Sequence, residues 1–203
     1  MRIFIALDID DAIRERIQRF MEGIRGFAPD ARWVRPESLH VTLKFLGEKP
    51  VQSVEQLKSS LAQVQSKAFD LNFRNYGFFP TARSARVFWV GIESGLELAL
   101  LANEVDNAAS VLGVPKEEHA FSPHLTLARS GGRSGAPGWR KGDGGNKSFQ
   151  LLQEKLSAMP VPDFGSMTAH RFFLYESKLM RGGSLYSKLA GFPLSASPHG
   201  LDK

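Results

Sequence analysis

Residues 3–9 are apolar at every position but Asp8 and rich in Ile and Phe, the run of a first buried strand. A helical period then follows. After Asp10 or Asp11, read as the cap, Ile13, Ile17, Phe20, Met21 and Ile24 recur every three or four residues and predict a helix ending near Gly26. Residues 31–35 and 39–46 read as short strands, stopped by Pro36 and by Gly47 with Pro50. Val54, Leu57, Leu61 and Val64 set a helix over 51–65. Residues 69–75 and 86–92 read as a strand pair around a turn holding Gly77, Pro80 and Thr81. The second half resembles the first in order: a helix over 96–112 stopped by Gly113, a strand over 124–128, a helix over 148–158, strands over 168–176 and 185–194, and a frayed tail after Ser195. Strands joined both by helices and by hairpin-length links predict α+β or mixed α/β architecture rather than a doubly wound parallel sheet.

One stretch breaks the pattern. Residues 130–147 hold seven glycines, four basic residues and a single acid, Asp143, with little to bury beyond Ala136 and Trp139. Such a segment predicts a mobile loop of net charge +3. The whole chain carries +5, which favours anionic partners such as RNA without singling them out. The absence of cysteine excludes disulfides, thiolate metal sites and a cysteine nucleophile, and suits a reducing cytoplasm. No apolar run reaches the ~20 residues that span a bilayer, and the first apolar stretch is too short for a signal peptide, so neither a membrane nor secretion is expected. There is no glycine-rich nucleotide fingerprint.

The strongest chemical signal is a near-repeat. His40-Val41-Thr42-Leu43 recurs 84 residues later as His124-Leu125-Thr126-Leu127, each time in a strand. On a strand, residues i and i+2 share a face. Each His and its Thr therefore turn one way, and the apolar pairs turn the other, into a core. Two imidazoles and two hydroxyls around one space suit attack at phosphorus without a metal. One histidine takes a proton, the other gives one, and the threonines hold the phosphoryl oxygens. A single His-x-Thr on a strand is ordinarily structural; two matched copies are not an ordinary coincidence.

The flanks extend the motifs. Trp33-Val34-Arg35-Pro36-Glu37-Ser38-Leu39-His40-Val41-Thr42-Leu43-Lys44-Phe45-Leu46-Gly47 and Phe121-Ser122-Pro123-His124-Leu125-Thr126-Leu127-Ala128-Arg129 resemble the two signatures of the RNA 2′,3′-cyclic phosphodiesterases, or 2′–5′ RNA ligases, of the two-histidine phosphoesterase superfamily. Arg2 to Leu7 at the start, and Tyr175-Glu176-Ser177 with Gly183, Tyr186, Leu189 and Phe192-Pro193-Leu194 near the end, are similar too. The resemblance implies a bilobal α+β fold over residues 1–203, with two antiparallel sheets facing a central cleft and helices outside. It implies hydrolysis of RNA 2′,3′-cyclic phosphate ends, or of cyclic nucleotides, to 2′-phosphates. His40 would be the proton donor and His124 the acceptor, Thr42 and Thr126 would hold the phosphate, and Arg129 would add a fixed positive charge for the substrate. No metal or cofactor is implied, and a monomer is expected. Two departures stand out: His119 sits where relatives often carry arginine, and the 130–147 loop is longer and looser than usual.

Other residues have plainer readings. Phe45, Phe79 and Trp89 are candidates for stacking on bases, but aromatics beside apolar neighbours on strands are more often core. Arg83 and Arg86 suit either phosphates or a solvated turn. His170 and His199 read as surface residues, and no metal-ligand spacing is present. Two rivals remain at this stage: 2′–5′ ligation by the same site, and an RNA-binding module with vestigial histidines.

Overall fold

The computed structural model describes residues 1–118, 120–131, 149–180 and 183–195. The expectations for His119, for most of the 130–147 loop, for the tail and for His199 lie outside the described residues.

Nine strands and four α-helices are present among the described residues: β1 (Arg2–Leu7), α1 (Asp11–Ile24), β2 (Arg32–Trp33), β3 (Val41–Glu48), α2 (Ser53–Leu61), β4 (Phe69–Phe79), β5 (Val87–Glu93), α3 (Leu96–Ala109), β6 (His124–Arg129), α4 (Gln150–Ser157), β7 (Asp163–Ala169), β8 (Arg171–Met180) and β9 (Gly183–Pro193). They form two antiparallel sheets, ordered β3-β1-β8-β9 and β2-β6-β5-β4-β7. The architecture is α+β and bilobal, one lobe to each sheet, with a cleft between them.

The lobes are not the two halves of the chain. The first sheet is built from the beginning and the end of the sequence, and the second mostly from its middle. The strand expected over 168–176 is in fact two strands, β7 and β8, in different sheets, with the exposed His170 as the only residue between them. His170 and Arg171, two successive exposed polar residues between buried Ala169 and Phe172, break the alternation at the crossing, but the same break would mark a bulge within a single strand. The strand expected to end at residue 75 continues to Phe79. Asn75 takes a left-handed φ of 65° at a register shift between Arg74 and Tyr76, and the ladder then resumes. Gly77 is therefore a strand residue rather than part of a turn. It faces Trp89, whose indole occupies the space that a Cβ at position 77 would fill.

The helices bury the expected stripes. Ile13, Ile17, Met21 and Ile24 of α1 are in the core, and Phe20 packs edge-on against Phe164. Asp10 holds the cap position, but its side chain makes no capping bond; its carbonyl accepts from the Arg14 amide at 2.9 Å instead. α3 runs on as a 3₁₀ turn to Leu112, closed by Gly113 at φ 65°, a conformation glycine adopts at little cost.

Strand β1 is buried on both faces. Ile3, Ile5 and Leu7 belong to the main core, while Phe4 and Ala6 belong with Tyr175 to a second, smaller cluster on the cleft side. The core side of the adjacent β3 contains a charge. Lys44 is 2% exposed, and its ammonium lies 2.6 Å from Asp106 of α3, 2.9 Å from Glu117 and 2.9 Å from the Pro115 carbonyl. It thus ties the first motif strand to the segment that leads into the second.

Removing one partner of a buried ion pair leaves the other uncompensated, at a cost of roughly 3–5 kcal/mol. Lys44→Met is expected to destabilise the protein toward the lower end of that range. Lys44→Met with Asp106→Leu is expected to recover most of the loss, because an apolar replacement of both partners is often close to neutral. Urea unfolding of the three proteins measures both.

Candidate active site

Each histidine motif is seated by the same local construction. His40 immediately precedes β3, and His124 opens β6. Val41, Leu43, Leu125 and Leu127 are buried, while His40, Thr42, His124 and Thr126 are all partly exposed on the other face, as the two-residue period requires.

After each threonine the pleat slips by one residue. In the first sheet Ala6 pairs with Thr42 and Ile5 with Lys44, leaving Leu43 as an extra residue. In the second, Trp89 pairs with Thr126 and Phe88 with Ala128, leaving Leu127 extra. These are β-bulges at equivalent places. Each lets two successive residues turn inward, Leu43 with Lys44 and Leu127 with Ala128. The residue five places after each histidine is thereby returned to the cleft face. In the first motif it is Phe45, 46% exposed and stacked on Phe4. In the second it is Arg129, which strict alternation from His124 would have aimed at the core.

The imidazoles are oriented alike. His40 Nδ1 lies 2.7 Å from the Ser38 carbonyl, and His124 Nδ1 lies 2.8 Å from the Ser122 carbonyl. A carbonyl oxygen only accepts, so Nδ1 carries hydrogen in both rings and donates it. In the neutral ring Nε2 is then the free acceptor, and in the charged ring it is the free donor. Both motifs therefore extend two residues further back, to Ser-x-His-x-Thr. The matching serines were visible in the sequence, but their contribution is a backbone carbonyl, which any residue would supply.

Aromatic walls hold each ring. His40 packs on Phe4 with centroids 4.8 Å apart and meets Tyr186 edge-on at 5.2 Å. His124 meets Phe79 edge-on at 4.9 Å, and Trp89 stands 6.4 Å away. Phe79 and Trp89 thus serve as the wall of a histidine. Beside His40 opens a cavity of about 330 Å³, whose lining includes Asp8, Arg14, Glu37, Tyr175, Tyr186 and Lys188. Arg14 donates to the carbonyls of Ile9 and Pro36 and to Asp8, each within 2.9 Å, and so fixes the turn that delivers His40. Lys188 pairs with the other oxygen of Asp8 at 2.6 Å. Asp8, Arg14, Tyr186 and Lys188 do not stand out as site residues in the sequence. Asp8 follows β1, Arg14 is on α1 and Tyr186 and Lys188 are on β9, so only the fold gathers them; of the four, Tyr186 alone is among the residues similar to the family.

Both histidines sit below the ordinary imidazole pKa. Removal from water is the main cause for His40; the Ser38 carbonyl opposes it, the Arg129 charge adds to it, Asp8 opposes it and His124 adds to it. For His124, burial again leads, opposed by the Ser122 carbonyl and joined by Arg129. The two motifs thus lie within one another's field across the cleft. Desolvation also pushes the Tyr175 hydroxyl well above its usual value, so it stays protonated. Among the described residues, no group of three or more His, Asp or Glu side chains is gathered in a way that could hold a metal ion.

A depressed histidine binds protons more weakly folded than unfolded. Its contribution to stability is complete above the unfolded value of ~6.5 and falls as pH drops below it, until the folded group also titrates. The melting temperature is therefore expected to fall on acidification from pH 7 to pH 5. The fall should be smaller in His40→Asn, and smaller in the unaltered protein with millimolar inorganic phosphate, since an anion in the cleft favours the charged rings. An equal fall in all three samples would contradict this.

Comparison with known proteins agrees with the geometry. The model of the LigT like phosphoesterase family matches residues 7–89 and again 90–186, one match for each motif. An Archaeoglobus fulgidus protein named RNA 2′,3′-cyclic phosphodiesterase is 33% identical over 95% of this chain and 99% of its own. The crystal structure of TT0787 of Thermus thermophilus superposes with a TM-score of 0.75 at 25% identity, covering 97% of this chain and 99% of that one. That of Escherichia coli LigT complexed with 3′-AMP gives 0.73 at 28% identity, covering 95% and 97%. A repeated motif, a duplicated bulge and a fold shared along nearly the full length lead to one conclusion: the chain belongs to the LigT like phosphoesterase family.

Proposed function

We propose that this protein hydrolyses the 2′,3′-cyclic phosphodiester at RNA ends to a 2′-phosphomonoester, by general acid–base catalysis between His40 and His124, with residues 1–203 acting as one bilobal unit. The observation that carries the reading is the pair of imidazoles, each locked through Nδ1 to a backbone carbonyl and each leaving Nε2 to one cleft. The names of full-length relatives support the substrate class, and LigT of Escherichia coli has been crystallised with 3′-AMP.

The chemistry follows from the positions. The cyclic phosphate lies between the motifs, its non-bridging oxygens taking hydrogen bonds from Thr42 and Thr126 and the charge of Arg129. Nε2 of neutral His124 accepts a proton from water as the water oxygen bonds to phosphorus. The bond from phosphorus to the 3′ oxygen breaks, and Nε2–H of charged His40 protonates that oxygen. The donor and acceptor roles fit the local charges. Asp8 raises the basicity of His40, whereas among the described residues the groups that act on His124 include no carboxylate. The step routes no charge through a metal.

His40→Ala and His124→Ala are each expected to lower kcat by roughly 10²–10⁴ while leaving the fold intact, and the double variant is expected to lose much less than the product of the two. The product from a 2′,3′-cyclic-phosphate oligonucleotide should carry its phosphate on the 2′ oxygen. A 3′-phosphate product, or near-normal kcat in either folded variant, would overturn the assignment.

The pH profile is expected to separate free from bound protein. kcat/KM reports the free state, where both rings are depressed, so its bell should centre below the ordinary imidazole value of ~6.5. Bound phosphate raises the basicity of the rings, so the bell for kcat should lie on the alkaline side of the first. The limbs belong to the coupled pair rather than to a named histidine. Coincident bells would contradict anion-assisted protonation.

A further inference from the structure

Three arginines converge where the sheets approach. Arg32 of β2 stands directly opposite Arg129 of β6 in the antiparallel register, and directly opposed residues share a face. The bulge after Thr126 turns Arg129 to the cleft, so Arg32 turns with it. Arg2 comes from the other sheet. It alternates with Phe4 on the cleft face of β1, and its guanidinium lies 5.4 Å from the centre of the Phe45 ring. Its cross-strand neighbour Glu48 pairs instead with the amino terminus, at 3.5 Å. The charges of Arg32 and Arg2 both reach Arg129, and Tyr186 is the other titratable group in that field. Among the described residues, none of these three arginines has a carboxylate within ion-pair distance.

Like charges placed opposite each other on neighbouring strands weaken a sheet, so this arrangement has a stability cost with no compensation among the described residues. A ligand with more than one phosphate supplies the compensation. We infer that Arg32 and Arg2 form a second phosphate subsite, which takes the phosphate on the 5′ oxygen of the same nucleotide that presents the cyclic phosphate to the histidines. The inference rests on the cyclic phosphodiesterase reading for the first phosphate. A cyclic phosphate terminates RNA at its 3′ side, so any further phosphate must lie on the 5′ side of that ribose. Once Arg129 serves the reacting group, Arg32 one strand away and Arg2 on the facing sheet remain for the next anion. In RNA that anion is an internal phosphodiester; in a free nucleotide it is a 5′-phosphate. The guanidinium fork suits either. Phe45 then acts as the bed on which Arg2 lies.

The test is calorimetric titration of the full chain with three ligands: adenosine 2′-phosphate, adenosine 2′,5′-bisphosphate, and the dinucleotide ApA bearing a terminal 2′-phosphate. The two-phosphate ligands are expected to bind about tenfold more tightly than the first, the effect of one added charge-assisted hydrogen bond. Arg32→Ala and Arg2→Ala, both at exposed positions, are each expected to shrink that ratio, and the salt dependence should flatten by about 0.7 in log–log slope for each phosphate that the variant no longer neutralises. A gain confined to the dinucleotide identifies the internal phosphodiester as the group recognised; an equal gain for the bisphosphate identifies the phosphate alone, and both support the subsite. No gain from the second phosphate, or a gain that survives in both variants, overturns it. Hydrolysis of the matching cyclic compounds is followed in parallel. Tighter two-phosphate binding without hydrolysis would fell the reaction and leave the subsite standing, and hydrolysis without the binding gain would do the reverse.

Discussion

A pleated strand shows only every second side chain to a given face, and a cleft walled by strands inherits that limit. His40 with Thr42, and His124 with Thr126, fit it without adjustment. A third cleft-facing side chain at the fifth place after each histidine does not, unless the pleat slips. The bulges at Leu43 and Leu127 supply the slip at the same step of both motifs. Each keeps an apolar residue in the core and restores a fifth-position residue to the cleft. The remaining features of the site hang on this shift. It brings Arg129 to the cleft side, carries Arg32 along through strand pairing, and sets Phe45 where Arg2 rests on it.

The electrostatics of the cleft run against an empty site. Burial and arginine charge both disfavour an imidazolium, which the proposed acid catalysis requires. A phosphate bound as proposed would resolve the conflict, because it would neutralise the guanidinium field and favour the charged ring. In the proposed reaction, protonation of the donor would thereby be tied to occupancy. Asp8, itself held by Arg14 and Lys188, tilts the balance toward His40. The two rings have the same hydrogen-bonded anchor and differ in the charges around them.

Much of this was legible in the sequence because it is local. The strand period around His40 and His124, the apolar stripe of α1 and the stop at Gly113 are each written in a few adjacent residues, and the structure has them. The flanking motifs also carried the family and its fold. The assignment of strands to sheets was not legible. The polar doublet His170-Arg171 interrupts the alternation where the chain leaves one sheet for the other, but a bulge within one strand would leave the same mark. Gly77 looked like turn chemistry, since the indole that explains it comes from another strand. Lys44, Asp8 and Arg14 were silent for the same reason: each makes sense only through partners distant in the chain. The inward turn of Lys44 and the outward turn of Arg129 both break the two-residue rule that made the motifs visible.

The interleaving of the sheets has a consequence for how the molecule comes into being. His40 is made early, but the sheet beneath it needs β8 and β9 and closes only at Pro193. The sheet that carries His124 has its last strand by Ala169. Along a growing chain the later motif is thus seated first, and the earlier one waits for partners that lie far downstream. Contacts that distant form slowly, because a long loop must be closed before they bring any stabilisation. A ribosome-bound chain would therefore present one finished half of the cleft, and the two histidines would face one another only after β9 had emerged.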